Sequence, residues 1–117
     1  MIKIKRVYEK AEATDGFRVL VDRLWPRGMK KEAAKVDLWM KDVAPSDELR
    51  KFFHHEAPKW PSFERKYKAE LKKKTDLLAE LRKLEKEHGK LTLVFGARDV
   101  KQNQAVVLAE ALAHHSS

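Results

Sequence analysis

Two apolar runs in this chain end abruptly in charge. Val19, Leu20 and Val21 lead straight into Asp22 and Arg23, with Arg27 close behind. Residues 91–95 (LTLVF) lead into Gly96, then Arg98 and Asp99, with Asn103 a few residues on. Arginine carries a planar fork of donors suited to bidentate capture of phosphate or carboxylate. Gly96 lets backbone approach a ligand closely, and the N–H groups at the start of a following helix favour negative charge. Asp22 and Asp99 either orient the arginines or transfer protons. Pairing between these arginines and aspartates, tying loops to the domain, is the competing structural role. The chemistry to which the set points is anion capture.

Trp25 stands among the same charges, between Leu24 and Pro26. On a loop it either stacks on a ligand ring or plugs the core from the side, and plugging is the commoner use. The candidate ligand-binding set is therefore Asp22, Arg23, Trp25, Arg27, Gly96, Arg98, Asp99 and Asn103.

Other chemistries are poorly supplied. The chain has no cysteine, so disulfides, thiolate nucleophiles and Cys-zinc sites are excluded. His54-His55-Glu56 does not make a metal site, because adjacent histidines share no face of a helix or strand and His88, His114 and His115 are isolated in sequence. Ser46, Ser62, Ser116 and Ser117 lack a Gly-x-Ser-x-Gly context. No glycine-rich turn follows an N-terminal strand, which disfavours a dinucleotide or methyltransferase site. No cofactor is expected, and a catalytic residue is not assigned.

The elements that must position these residues follow from periodicity. Ile2, Ile4 and Val7 alternate with Lys3 and Lys5 as a first strand. Asp15-Gly16 is a turn signal, and residues 17–21 form a second strand. The short link between them excludes a helical crossover, so the two strands are antiparallel neighbours or not adjacent at all. Residues 29–35 suit a short helix. Val36, Leu38 and Met40 alternate as a third strand, leaving Trp39 to pack under a helix or line a cleft. Ser46 caps a helix carrying Leu49, Phe52 and Phe53. Trp60-Pro61 opens another, with Phe63, Tyr67 and Leu71 at spacing four. A further helix, capped by Thr75, carries Leu77, Leu78, Leu81 and Leu84 and stops at His88-Gly89. The uninterrupted run 91–95 is a central strand buried on both faces. A last helix spans about residues 102–113. The sum is a single α/β domain over residues 1–117, with a small mixed, partly parallel sheet of about four strands flanked by helices. If both core strands point the same way, their charged exits converge on one edge, where open α/β sheets bind ligands.

Composition bears on the partner. The net charge is +8, which favours an anionic partner, phosphate-bearing ligand or nucleic acid, over a cationic one. Arg65 to Lys74 (RKYKAELKKK) offers a cationic helix face that could meet a phosphate backbone, though a solvated face is the default. No apolar run approaches the roughly 18 residues of a membrane span. The N-terminus alternates apolar and basic residues and does not read as a signal peptide. A cytoplasmic protein, monomeric or homodimeric, is the expectation.

The stretches GFRVLVDRLWPRG (16–28), DLWMKDVAPSDELRKFF (37–53), WPSFERKYKAEL (60–71) and LVFGARDVKQNQAVVLAEAL (93–112) carry a resemblance. The chain resembles the YeaO-like branch of the domain-of-unknown-function family 488 (DUF488) over nearly its whole length. The resemblance implies no reaction, but it points to the same two strand exits. Longer relatives have an Asp-Val-Arg-x-x-Pro pattern after a strand, which looks like Asp22, Arg23 and Pro26 here. They also have a strand ending in a Cys, followed by a Cys-His-Arg at the last helix, for which this chain has Phe95–Asp99 and Gln102–Ala105, with no thiol and no His. Branch members usually have His-Asn-His where this chain has Gln102, Asn103 and Gln104, so only the Asn is kept. Three functions follow as expectations. The first is a binding module for an anionic, phosphate-bearing ligand, a nucleotide or nucleic acid. The second is a small enzyme on an anionic substrate with Asp22 or Asp99 as acid/base. The third is a regulatory or scaffold protein without catalysis.

Overall fold

A computed structural model describes residues 1–54 and 56–113. His55, His114, His115, Ser116 and Ser117, considered above as metal ligands or nucleophiles, lie outside the described residues. In chain order the elements are β1 (Ile2–Arg6), β2 (Phe17–Leu20), α1 (Lys31–Ala34), β3 (Leu38–Trp39), α2 (Asp47–Phe53), α3 (Trp60–Leu71), α4 (Thr75–His88), β4 (Leu91–Phe95) and α5 (Gln104–Ala113).

The four strands form one sheet in the order β1-β4-β2-β3. β4 is central, as its unbroken apolar sequence predicts, and all five of its residues are buried. β1 pairs with it from Ile2 opposite Leu91 to Arg6 opposite Phe95, and β2 from Phe17 opposite Leu91 to Leu20 opposite Val94. Every pairing is parallel, so the expected mixed sheet is corrected to a wholly parallel one. β1 and β2 are not adjacent. β4, from much later in the chain, inserts between them, so the short link never has to make a crossover.

The two faces of the sheet are covered unequally. Ile2, Ile4, Val19, Val21, Leu91, Leu93 and Phe95 face the main core, with Leu49 and Phe53 of α2, Phe63, Tyr67 and Leu71 of α3, Leu78 and Leu81 of α4, and Val107, Leu108 and Leu112 of α5. The opposite face carries Val7 and Val94 under Ala34 of α1, with Trp25, Met29 and Val36 packed around them. That face also holds a buried polar network. Asp15, fully buried, takes Arg18 Nη1 at 2.6 Å and Lys5 Nζ at 3.2 Å, and lies 3.1 Å from Lys3 Nζ. Arg18 donates its other groups to the carbonyls of Lys35 and Ala34.

Local signals place most boundaries. Ser46 Oγ accepts from Leu49 N at 3.2 Å and caps α2. Gly89, at φ 78°, ends α4. Thr75 is the first helical residue of α4 rather than its cap; Lys74 precedes it with no capping side chain. The third strand is only two residues long, but Asp37 N and Met40 N extend its bonds to Arg18 O and Leu20 O. α5 starts at Gln104 because Asn103 Oδ1 accepts from Val106 N at 3.2 Å, stopping the helix short of 102. Among the described residues, no helix is long and apolar enough to cross a membrane.

Candidate functional site

Because all strands are parallel, the exits of β1, β2 and β4 lie on one edge of the sheet. A cleft of about 380 Å³ opens there. Its lining includes Asp22, Arg23, Leu24, Trp25, Pro26 and Arg27 after β2, and Gly96 and Ala97 after β4. Tyr8 after β1, Arg50 and Phe53 of α2, Phe63 of α3 and Gln104 of α5 complete the main walls.

Asp22 is the only acidic residue in that lining. Oδ2 accepts from Gly96 N at 2.8 Å, and Oδ1 from Gln104 Nε2 at 2.5 Å. No cation pairs with it among the described residues. Burial pushes its carboxyl up to about 6, against the opposing pull of the Gly96 N–H and the Gln104 amide, both of which favour the charged form. Glycine is required at position 96 by contact: a Cβ there would lie 2.9 Å from Asp22 Oδ2 and 3.5 Å from Pro26 Cβ.

The arginines differ in how tightly they are held. Arg23 donates Nε to Pro45 O at 2.9 Å and Nη2 to Ala44 O at 3.3 Å, so much of its fork is committed to the segment before α2. Arg27 is exposed, and its guanidinium makes no hydrogen bond or ion pair among the described residues. Its carbonyl accepts from Tyr8 Oη at 2.7 Å. Arg50 makes one long contact, 3.4 Å, to Asp47 on its own helix. Three arginines against one carboxylate leave the lining net positive, more so when Asp22 is protonated.

Of the residues singled out from sequence, Asp22, Arg23, Trp25, Arg27 and Gly96 share this cleft. Arg98, Asp99 and Asn103 are not in its lining. Arg98 is exposed. Asp99 Oδ1 accepts from Lys101 N and Gln102 N, and Asp99 O accepts from Asn103 Nδ2, so these two residues shape the turn into α5. Trp25 donates Nε1 to Met29 O at 2.6 Å and meets Trp39 edge-on at 5.4 Å, which fits the plugging role while leaving one side on the cleft. Trp39 donates to Asp22 O at 2.7 Å and so braces the loop from below.

Sequence reasoning missed Tyr8, Arg50 and Gln104. Tyr8 sits at the exit of the first strand, and attention to every strand exit would have found it. Gln104 is the residue after the retained Asn103. Arg50 carries no signal, since only the packing of α2 brings it to the cleft. Among the described residues, no three His, Cys, Asp or Glu side chains are arranged to hold a metal ion.

A family model described as the inactive DUF488-N3 subclade matches residues 1–117. The chain is 46% identical over 111 residues to "Uncharacterized protein YeaO" of Escherichia coli, covering 95% of this chain and 96% of that protein. It is 44% identical over 111 residues to "Uncharacterized protein Rv3073c" of Mycobacterium tuberculosis and "Uncharacterized protein Mb3100c" of Mycobacterium bovis, covering 92% of each. No solved structure matches it.

Proposed function

The chain belongs to the YeaO-like branch of the DUF488 family, and on that premise we propose that it is a binding module for a small phosphate-bearing anion held at the strand exits. One observation carries this: Arg23, Arg27 and Arg50 line a single cleft whose only acid, Asp22, is half withdrawn from solvent and has no cationic partner among the described residues. A volume of about 380 Å³ lies within the range of small-ligand sites, roughly 300–1,000 Å³. It suits a mononucleotide-sized anion better than an extended nucleic acid. The description "inactive" belongs to the subclade, and it supports capture over turnover here. Asp22 keeps a geometry compatible with acid/base work, so the enzyme reading is the alternative.

Calorimetric titration with inorganic pyrophosphate and with AMP, at low and at physiological salt, tests the proposal. Micromolar to millimolar binding is expected, weakened about tenfold or more by R27Q combined with R50Q, equivalent to loss of about 1.4 kcal/mol. Absence of binding by both probes at low salt would reject it. Tighter binding of a single-stranded oligonucleotide than of AMP, unaffected by the two substitutions, would move the function to the lysine-rich surface instead.

A further inference from the structure

Four large hydrophobic side chains are exposed among the described residues: Met1, Tyr8, Leu24 and Val100. Two of them, Tyr8 at 43% and Leu24 at 58%, line the arginine-bearing cleft. An exposed tyrosine is ordinary in itself. Tyr8 is unusual in being fixed from several sides. Val7, just before it, is buried and donates its N–H to Phe95 O at 2.7 Å. The Tyr8 hydroxyl donates to Arg27 O at 2.7 Å, which ties the ring to the loop after β2. The Arg6 guanidinium lies over one face of the ring, 5.0 Å from its centroid, leaving the other face for a ligand, and Arg6 Nε is itself held by Ala97 O at 2.8 Å, after β4. A ring from the exit of one strand is thus braced by the exits of two others. An aromatic face held in place beforehand loses little freedom when a flat ligand lands on it. The other aromatic groups of the cleft are less available. Phe53 and Phe63 stack on each other in the core at 4.4 Å, and Trp25 is set against Trp39 and Met29.

Building on anion capture at this same cleft, we propose that its ligand is of the nucleotide class, a phosphate ester carrying a planar aromatic ring, and that Tyr8 is the platform on which the ring stacks, with Leu24 as a further apolar contact. The phosphate is met by Arg27 and Arg50. The Tyr8–Arg27 hydrogen bond links the stacking residue to the loop that bears one phosphate-binding arginine, so ring and phosphate reinforce each other through one piece of backbone.

The test is calorimetric titration of the whole chain with AMP and with ribose 5-phosphate, which has the same sugar phosphate without a ring. The proteins compared are wild type, Y8F, Y8L and R27Q. Stacking on an aromatic side chain contributes about 1–3 kcal/mol per base, so AMP should bind wild type at least about fivefold more tightly than ribose 5-phosphate. Y8F should keep most of that ratio, since the ring remains. Y8F and Y8L both lose the hydroxyl bond to Arg27 O, so ribose 5-phosphate should weaken by a similar factor in the two; Y8L alone should bring the ratio close to one. R27Q should weaken both ligands alike. Equal affinity of the two ligands for wild type, with both weakened by R27Q, would overturn the stacking role and leave anion capture standing. An AMP preference that persists undiminished in Y8L would also overturn the role of Tyr8. No binding of either ligand, or of pyrophosphate, would overturn anion capture and this inference together. Should Y8L fail to fold, the wild-type comparison of the two ligands still decides whether a ring is recognised.

Discussion

Asp22 accepts two hydrogen bonds and faces no cation among the described residues, so its charge is held at a cost. Its folded-state value near 6 lies above the ordinary carboxylate value of 3.8. A raised value means that the folded protein binds the proton more tightly than the unfolded chain. The stability this contributes is therefore complete below about pH 4 and lost as pH rises through about 6. The ionised group costs on the order of 2–3 kcal/mol at neutral pH. D22N removes that cost: Asn Oδ1 can still accept from Gly96 N, and a turned Gln104 amide can accept from the new Nδ2. Chemical denaturation of D22N at pH 8 should give about 1–2 kcal/mol more stability than wild type, with the difference vanishing near pH 4. Equal stability at pH 8 would show that the carboxylate is not penalised. The same titration acts on binding. As pH falls through about 6 the lining loses its only negative charge, while a phosphate ligand also takes up a proton in the same range; the affinity of wild type relative to D22N should therefore rise, the ligand's own titration being common to both. G96A provides a steric check, because its methyl group would sit 2.9 Å from Asp22 Oδ2. It should destabilise the protein by about 1–3 kcal/mol and weaken the anion in parallel.

At the scale of elements, the cleft wall depends on how the segment from Val43 to Ser46 is clamped. Tyr67 of α3 donates its hydroxyl to Val43 O at 2.6 Å, and burial holds that hydroxyl far above the usual tyrosine range against ionisation. Lys74 Nζ and Arg23 Nη2 both donate to Ala44 O, at 2.9 and 3.3 Å. Glu70 accepts from Ser46 N at 2.9 Å and from Ser46 Oγ at 2.6 Å, while Ser46 Oγ accepts from Leu49 N. Helix α3 therefore fixes the start of α2, and with it Pro45 and Arg50 on the cleft. Ser46→Ala removes the cap and one Glu70 bond and should cost about 1–2 kcal/mol. A double-mutant cycle of Ser46→Ala with Glu70→Ala should return a coupling of at least about 0.5 kcal/mol in urea melts. Strict additivity would mean that the two helices are positioned independently. The helix itself was legible, since a serine before Asp47-Glu48 and an apolar stripe is a local signal. Its attachment to Glu70, 24 residues away in sequence, was not.

At the scale of the whole molecule, the thinly covered face of the sheet relies on charge where the other face relies on packing. Asp15 is fully buried and held by Arg18, Lys5, Lys3 and the Glu12 N–H, which keep its carboxyl well below the usual carboxylate range. A depressed value contributes stability that is present above about pH 4 and lost as pH falls toward the folded-state value. Asp15 and Asp22 thus pull acid stability in opposite directions. D15N leaves Arg18 buried beside a neutral amide and should cost about 3–5 kcal/mol at pH 7. The loss should shrink below pH 4, where the unfolded chain already carries the proton. Urea midpoints across that range would check it, and a pH-independent loss would point to packing rather than charge. By its neighbours in sequence Asp15 is only half of a turn signal. Its burial arises only because β1 and β2 both lie against β4, which brings Lys5, Arg18 and Thr92 around it.

The sequence alone determined which residues turn inward and where the core strands end. Alternation in β1, unbroken apolar character in β4 and spacing of four in α3 are properties of neighbours along the chain, and a hydrophobic pattern must match its element locally to bury anything. The charged exits at Asp22 and Gly96 were visible for the same reason. Only the tertiary structure decided that all the strands run parallel, that one face takes four helices and the other the short α1 with its neighbouring loops, and that Tyr8, Arg50 and Gln104 share a cleft with Asp22. Gln104 reaches Asp22 from 82 residues away in the chain, and Arg6 reaches Ala97 from 91. Such contacts are selected by which packing buries the most apolar surface with its polar groups satisfied, a competition among distant elements that no local pattern records.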